Sequence, residues 1–121
     1  MIYTSEKVSK ENKEFNCPVE ATISLIGGKY KSVILFHLMG KTLRYSELHK
    51  KIPKATDKML AQQLRELEKD GLIKRTVYPV VPPKTEYNLT EFGESLSPIL
   101  NAMCNWGESY LNIPSQCVEE S

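Results

Sequence analysis

The sequence predicts a mainly α-helical domain that carries one small β-hairpin, an α+β arrangement. Three observations predict it. Apolar stretches of helical period, each closed by glycine or proline, fill the first half of the chain. Two alternating segments, "LIKRTVY" and "KTEYNL", flank the stiff loop "PVVPP". A last long apolar-periodic stretch then follows Thr90. The 121 residues, 26% charged and 40% apolar, suit one soluble globular domain. They divide into an arm at 1–16, the domain proper at 17–112 and a tail at 113–121.

Each element has its own signal. "MIYTSEKVSKENKEF" is polar and mixed in charge, unlike a signal peptide, and reads as a frayed arm or a short helix that docks on a partner. Glu20 to Ile26 carries a short helical pattern, with Gly27-Gly28 expected as a left-handed cap. Lys29 to Met39 is apolar nearly all round and predicts a buried central helix that ends at Gly40. "LRYSELHKKI" predicts a third helix with Leu43, Leu48 and Ile52 inward, capped at Ser46 or the residue before it and stopped by Pro53.

The stretch "ATDKMLAQQLRELEKDGLIKRTVYPV" is the most informative. Thr56 is a good N-cap, Asp57 suits the positive end of the helix dipole, and Gly71 falls where a C′ residue belongs. At about 100° per residue, Leu60, Leu64 and Leu67 form one stripe, and Lys58, Gln62, Arg65 and Lys69 fall opposite. Arg pairs with guanine, Gln with adenine, and Lys neutralises phosphate, so this face has the chemistry of a helix entering the DNA major groove. An ordinary amphipathic surface helix carries the same residue types. Context shifts the balance between the two readings. Helix, short "PKA" turn, helix and β-hairpin, in that order, make a winged helix-turn-helix.

Thr90 caps a last helix predicted to run to about Tyr110, with Pro98 inside it as a bend. Leu96, Ile99, Leu100, Met103, Trp106 and Tyr110 form an apolar face larger than a small domain covers alone, so a homodimer interface is expected there.

A formal net charge of +1 conceals a strong polarity. Lys41 to Tyr78 holds ten basic and five acidic residues, an excess of +5, whereas Pro79 to the end holds one basic and six acidic residues. The basic middle predicts a nucleic-acid partner, with Lys54, Lys74, Arg75 and Lys84 as phosphate contacts beside Thr56 and the recognition face. Three cysteines and two histidines form no metal spacing, and no phosphate loop or nucleophile elbow is present. No metal, no cofactor and no enzymatic activity are therefore expected. No apolar run approaches the roughly 20 residues of a membrane helix, so the expectation is a cytoplasmic protein without a membrane partner.

The segments "CPVEATISLIGGKYKSVILFHL", "LRYSELHKKI" and "LAQQLRELEKDGLIKRTVYPVVPPKTEYNLTEFGESLSPIL", with the tryptophan of "NWGE", resemble the HxlR family of bacterial winged-helix transcriptional regulators, related in fold to the MarR group. The likeness covers about Cys17 to Gly107. Two positions depart from the family pattern. Tyr30 stands where tryptophan is usual, and "ATDKML" replaces a "SPKVL"-like start of the recognition helix, so no operator sequence transfers. The resemblance implies a homodimer joined by helices from both chain ends and bound to inverted-repeat operator DNA. It also implies that Cys17 matches a cysteine that in many members senses oxidants or electrophiles, making a small oxidant or electrophile the inducer.

The bottom-up reading of "FNCPVE" agrees: Pro18 suits the first helical position, which puts Cys17 at the N-cap, where the helix dipole favours the reactive thiolate. A buried, inert Cys17 is the alternative. Cys104 reads as a small core or interface residue, and Cys117 as a tail thiol that could act as a resolving partner. Two further functions compete with regulation: a winged-helix protein-interaction module without DNA binding, and an enzyme using Cys17 as nucleophile, for which no nearby base is apparent.

Overall fold

Leu60, Leu64 and Leu67 lose nearly all contact with solvent, and the rest of the domain is arranged around them. The computed structural model describes residues 8–10 and 13–115. The elements in chain order are strands β1 (Val8–Lys10) and β2 (Lys13–Phe15), helices α1 (Pro18–Ile26) and α2 (Lys31–Leu38), strand β3 (Leu43–Arg44), helices α3 (Tyr45–Lys51) and α4 (Asp57–Lys69), strands β4 (Ile73–Tyr78) and β5 (Lys84–Leu89), and helices α5 (Glu91–Glu94) and α6 (Ser97–Leu111). The core also takes in Ile34, Leu35 and Leu38 from α2, Leu48 from α3, Leu72 and Ile73 at the start of the wing, and Leu100 from α6.

The α+β winged helix-turn-helix prediction holds, with five local corrections. The arm is neither frayed nor helical over its described part, because β1 and β2 pair antiparallel, Val8 opposite Phe15. Gly27 caps α1 with a right-handed φ of −84°; the left-handed glycines are Gly40 at 67° and Gly71 at 78°. Exposed Val33 shows that α2 is not buried all round. A two-residue strand, β3, precedes α3, so the N-cap falls on Arg44, whose N–H donates to Glu47 Oε1 at 2.8 Å. β3 makes the sheet three-stranded, in the order β3-β5-β4.

The fifth correction concerns the last helix, which is two helices. Thr90 caps α5 by accepting from Gly93 N, but α5 ends at Glu94, and Pro98 lies in the first turn of α6. A proline in a first turn has no hydrogen bond to lose, so the break falls before it and not at it.

α4 starts where the sequence places it, because the Thr56 side chain accepts from Met59 N at 3.1 Å. Its inner face carries one polar residue among the leucines. Buried Gln63 accepts from Tyr30 N at 2.9 Å, and its amide lies where a Cβ on residue 28 would be, which accounts for Gly28. Beside it, buried Lys31 pairs with Glu66 at 2.7 Å.

Two predictions follow from these contacts. Thr56→Ala should lower stability by about 1 kcal/mol while Thr56→Ser leaves it within a few tenths, as measured by urea denaturation. On half-buried α2, burial and then the charges of Lys51 and Lys41 hold the His37 imidazole below its ordinary value. Its contribution to stability is full above the unfolded value of about 6.5 and is lost as pH falls through the lowered folded value. Stability should therefore decline on acidification below neutrality, and His37→Gln should flatten that decline. An unchanged slope would place the titration elsewhere.

Candidate nucleic-acid interface

The outer face of α4 is built by what happens to its acidic residues. The helix and its boundary carry Asp57, Glu66, Glu68 and Asp70 against Lys58, Arg65 and Lys69. Three of these acids are engaged by neighbouring elements. Asp57 Oδ1 accepts from Tyr45 Oη at 2.8 Å and lies 3.2 Å from His49 Nδ1. Glu66 pairs with Lys31 on α2 and accepts from Gln62 Nε2 at 3.2 Å; Glu68 reaches Arg75 on β4 at 3.4 Å. The bond from Lys31, then that from Gln62, holds the Glu66 carboxyl below the usual carboxylate range.

Lys58, Gln62, Arg65 and Lys69 are all exposed, and the three cations make no ion pair among the described residues. A charge without an internal partner keeps its full field for an approaching polyanion.

The turn that aims this helix is fastened at three points. His49 Nε2 lies 2.9 Å from the Ala55 carbonyl oxygen, and its other ring nitrogen faces Asp57. Tyr45 stacks edge-on against His49 with ring centroids 5.9 Å apart. Burial, then the bond to Asp57, pushes the Tyr45 phenol up to about 12, so it remains a donor across the physiological range. Thr56, exposed at the start of α4, accepts its own cap bond and keeps its hydroxyl proton free to donate.

The flanking cations divide into two groups. Lys54 in the turn and Lys74 on β4 are exposed and free of ion pairs among the described residues. Arg75 is held by Glu68, while Lys84 lies 3.6 Å from Glu86 and 4.7 Å over the Tyr78 ring. Their charge is partly neutralised inside the fold, which the sequence did not reveal.

Sequence reasoning also missed Arg44. It flanks a cleft of about 600 Å³ between the wing and the start of α3, together with Ser46, Tyr78 and Lys84. Only the pairing of Arg44 with Glu86 across β3 and β5 brings it there, and a two-residue strand leaves no periodic signal.

The expected interface face on the last helix divides as well. Leu96 (9% exposed) and Leu100 (2%) belong to the chain's own core, whereas Ile99, Met103, Trp106 (70%) and Tyr110 (75%) face outward. Trp106 and Tyr110 stack with ring centroids 5.6 Å apart. On α1, Val19 and Ile23 are also exposed. Cys17 is the free cysteine among the described residues; it is half-buried, sits at the N-cap of α1 ahead of Pro18, and makes no side-chain cap bond. Cys104 lies on α6, beside an apolar groove formed by Val33, Phe36, Leu100 and Met103, but it is disulfide-bonded and so more than the small packing residue expected; Cys117 falls outside the described residues. No helix among the described residues is long and apolar enough to cross a membrane, and they hold no cluster of metal-ligating side chains.

The sequence profile of HxlR-like helix-turn-helix proteins matches residues 25–115. YtcD of Bacillus subtilis (strain 168), an uncharacterised HTH-type transcriptional regulator, is 55% identical over 102 residues, covering 84% of this chain and 81% of YtcD. YdeP of the same organism, described in the same words, is 54% identical over 94 residues, covering 78% and 73%. Among solved structures, the redox regulator HypR in its oxidised form superposes with a TM-score of 0.74 at 50% identity, covering 77% of this chain and 96% of HypR. Its reduced form gives 0.75 at 48% identity, covering 78% and 94%. With the helix-turn-helix, the wing and the cationic outer face of α4, these matches establish that the chain belongs to the HxlR family of winged helix-turn-helix transcriptional regulators, DNA-binding proteins and not enzymes.

Proposed function

We propose that the protein binds inverted-repeat operator DNA as a homodimer, with α4 as the recognition helix and the β4–β5 hairpin as the wing. The observation that carries this reading is the division of charge on α4. Asp57, Glu66 and Glu68 are engaged by other elements, and Lys58, Gln62 and Arg65 stand outward with Lys69. Lys54 and Lys74 extend the phosphate-binding surface; Arg75 and Lys84 join it to the extent that DNA draws them from Glu68 and Glu86. The second copy covers Ile99, Met103, Trp106 and Tyr110, whose exposed aromatic surface is more than a soluble monomer usually leaves in one place. Two recognition helices about 34 Å apart then meet successive major grooves on one side of the duplex.

The second part of the proposal concerns control. Cys17 opens α1 as a free thiol, and HypR, a redox regulator, shares the fold at half identity. The Cys17 thiol adds across a ring C=C of an electrophile such as a quinone, forming a carbon–sulfur bond as that π bond opens and the thiol proton passes to the quinone; the adduct displaces the start of α1 and changes the spacing of the two recognition helices.

Arg65→Ala should weaken operator binding by about 1–3 kcal/mol if its guanidinium pairs with a base. Affinity should also fall steeply with added salt through counterion release. Gel-shift titrations on a full repeat and on an isolated half-site measure both. An Arg65→Ala variant of wild-type affinity removes that residue from the reading face, and equal affinity for half-site and repeat contradicts the dimer.

Cys17→Ser should keep operator affinity and lose the response to a quinone. If the serine variant still releases DNA on treatment as the wild type does, the switch lies elsewhere.

A further inference from the structure

Gln62 carries an amide with two unlike ends, so the turn of its last side-chain bond decides which base edge it fits. Its oxygen, Oε1, only accepts, and its nitrogen, Nε2, only donates. Contacts on α2 and α4 settle that turn. Lys31 Nζ on α2 lies 2.7 Å from Glu66 Oε1, and Gln62 Nε2 donates to Glu66 Oε2 at 3.2 Å. The carboxylate thus engages one neighbour with each oxygen, and because it can only accept, the end of Gln62 turned toward it is the nitrogen.

A Gln–Glu pair four residues apart on an open helix face is weak by itself. Here its far end is anchored. The Lys31 side chain is 10% exposed, and its stem lies against Gly28, where an added Cβ would meet Lys31 Cδ at 3.0 Å. Leaving Glu66 would strand an unpaired charge in the interior, so the ammonium stays where it is. The bond from Lys31 and then that from Gln62 hold the Glu66 carboxyl below its ordinary range, which keeps it an acceptor with no proton to give.

We propose that Lys31 and Glu66 are positioning residues for base recognition: they hold the Gln62 amide with its nitrogen toward Glu66 and its oxygen outward, which selects adenine over guanine. The inference rests on α4 being the helix that reads DNA. With one N–H given to Glu66, Gln62 keeps Oε1 and a second N–H for a base. Adenine presents the N6 donor beside the N7 acceptor, and this fork matches both. Guanine presents two acceptors, O6 and N7, and sets O6 against the amide oxygen. To serve guanine the amide has to turn over, and that turn breaks the bond to Glu66. The buried lysine therefore influences a base that it never touches.

The full-length protein is incubated with a pool of randomised duplexes, the bound fraction is sequenced, and duplexes with single-base changes in the selected sequence are titrated by gel shift. Gln62→Ala marks the position that Gln62 reads, as the one whose base preference it erases. There the wild type should favour adenine over guanine by about tenfold. In Glu66→Gln that ratio should vanish or invert. Lys31 only donates, so it keeps the oxygen of the introduced amide; the NH2 end then faces Gln62 and draws its oxygen inward. Preferences at the other positions should stay as in the wild type, and in a Gln62→Ala background Glu66→Gln should alter no base preference. Lys31→Met, which lets Glu66 swing into solvent, should lower the same ratio several-fold, and it carries the test if Glu66→Gln fails to fold. An adenine preference that survives both substitutions overturns the relay and leaves DNA reading by α4 intact. Loss of preference spread over all positions also overturns it, since that marks a helix displaced as a whole. A wild type that selects no sequence, or a Gln62→Ala variant that erases no preference, overturns the reading face itself and the relay with it.

Discussion

The contact on which the rest of the structure depends is the polar seam between α2 and α4. Lys31 and Gln63 are the two buried polar residues of the domain's described part, and they lie on facing helices. Gln63 takes the Tyr30 N–H at the start of α2, and Lys31 takes Glu66 one turn further along α4. Leucines alone would hold two helices together without fixing their register, because apolar contact is non-directional. The seam adds direction. It sets the rotation of α4 about its own axis, and hence which side chains face out.

That same seam shapes the electrostatics of the reading face. A carboxylate at Glu66 would otherwise add negative charge beside Gln62 and Arg65, the side chains proposed to meet DNA. Glu66 instead spends its charge on Lys31, and Glu68 and Asp57 are similarly engaged by Arg75 and by the Tyr45–His49 pair. Packing and function are therefore not separate layers in this domain. Contacts with neighbouring elements thus both orient α4 and engage three of the carboxylates on it, Asp57, Glu66 and Glu68.

Much of this was legible in the sequence, and the limits are physical. α4 could be read closely because cap, leucine period and terminating Gly71 are all local signals, and the break at Pro98 was visible although its position was misjudged by a few residues. β3 was not legible, since two residues become a strand only through their partners on β5. Gln63 was passed over for a related reason: nothing local distinguishes a buried amide from its exposed neighbour Gln62, and the difference lies in a hydrogen bond to Tyr30, 33 residues away. The charge count marked the basic middle correctly, but it could not show that Arg75 and Lys84 already have carboxylate partners. Leu96 and Leu100 were assigned outward with the rest of their helix because one stripe of apolar residues does not reveal how much of it the domain's own core absorbs.

Thr90 closes the base of the wing. Its N–H donates to the Leu72 carbonyl oxygen at 3.1 Å, its hydroxyl donates to Gly71, and the same oxygen accepts from Gly93. One residue thus joins both ends of the hairpin to each other and to the helix that follows, so the entropy of closing that loop is met at its root. The tip from Pro79 to Pro83 carries none of that burden. The tip can therefore be redrawn, in length or in chemistry, while the frame that carries it stays in place.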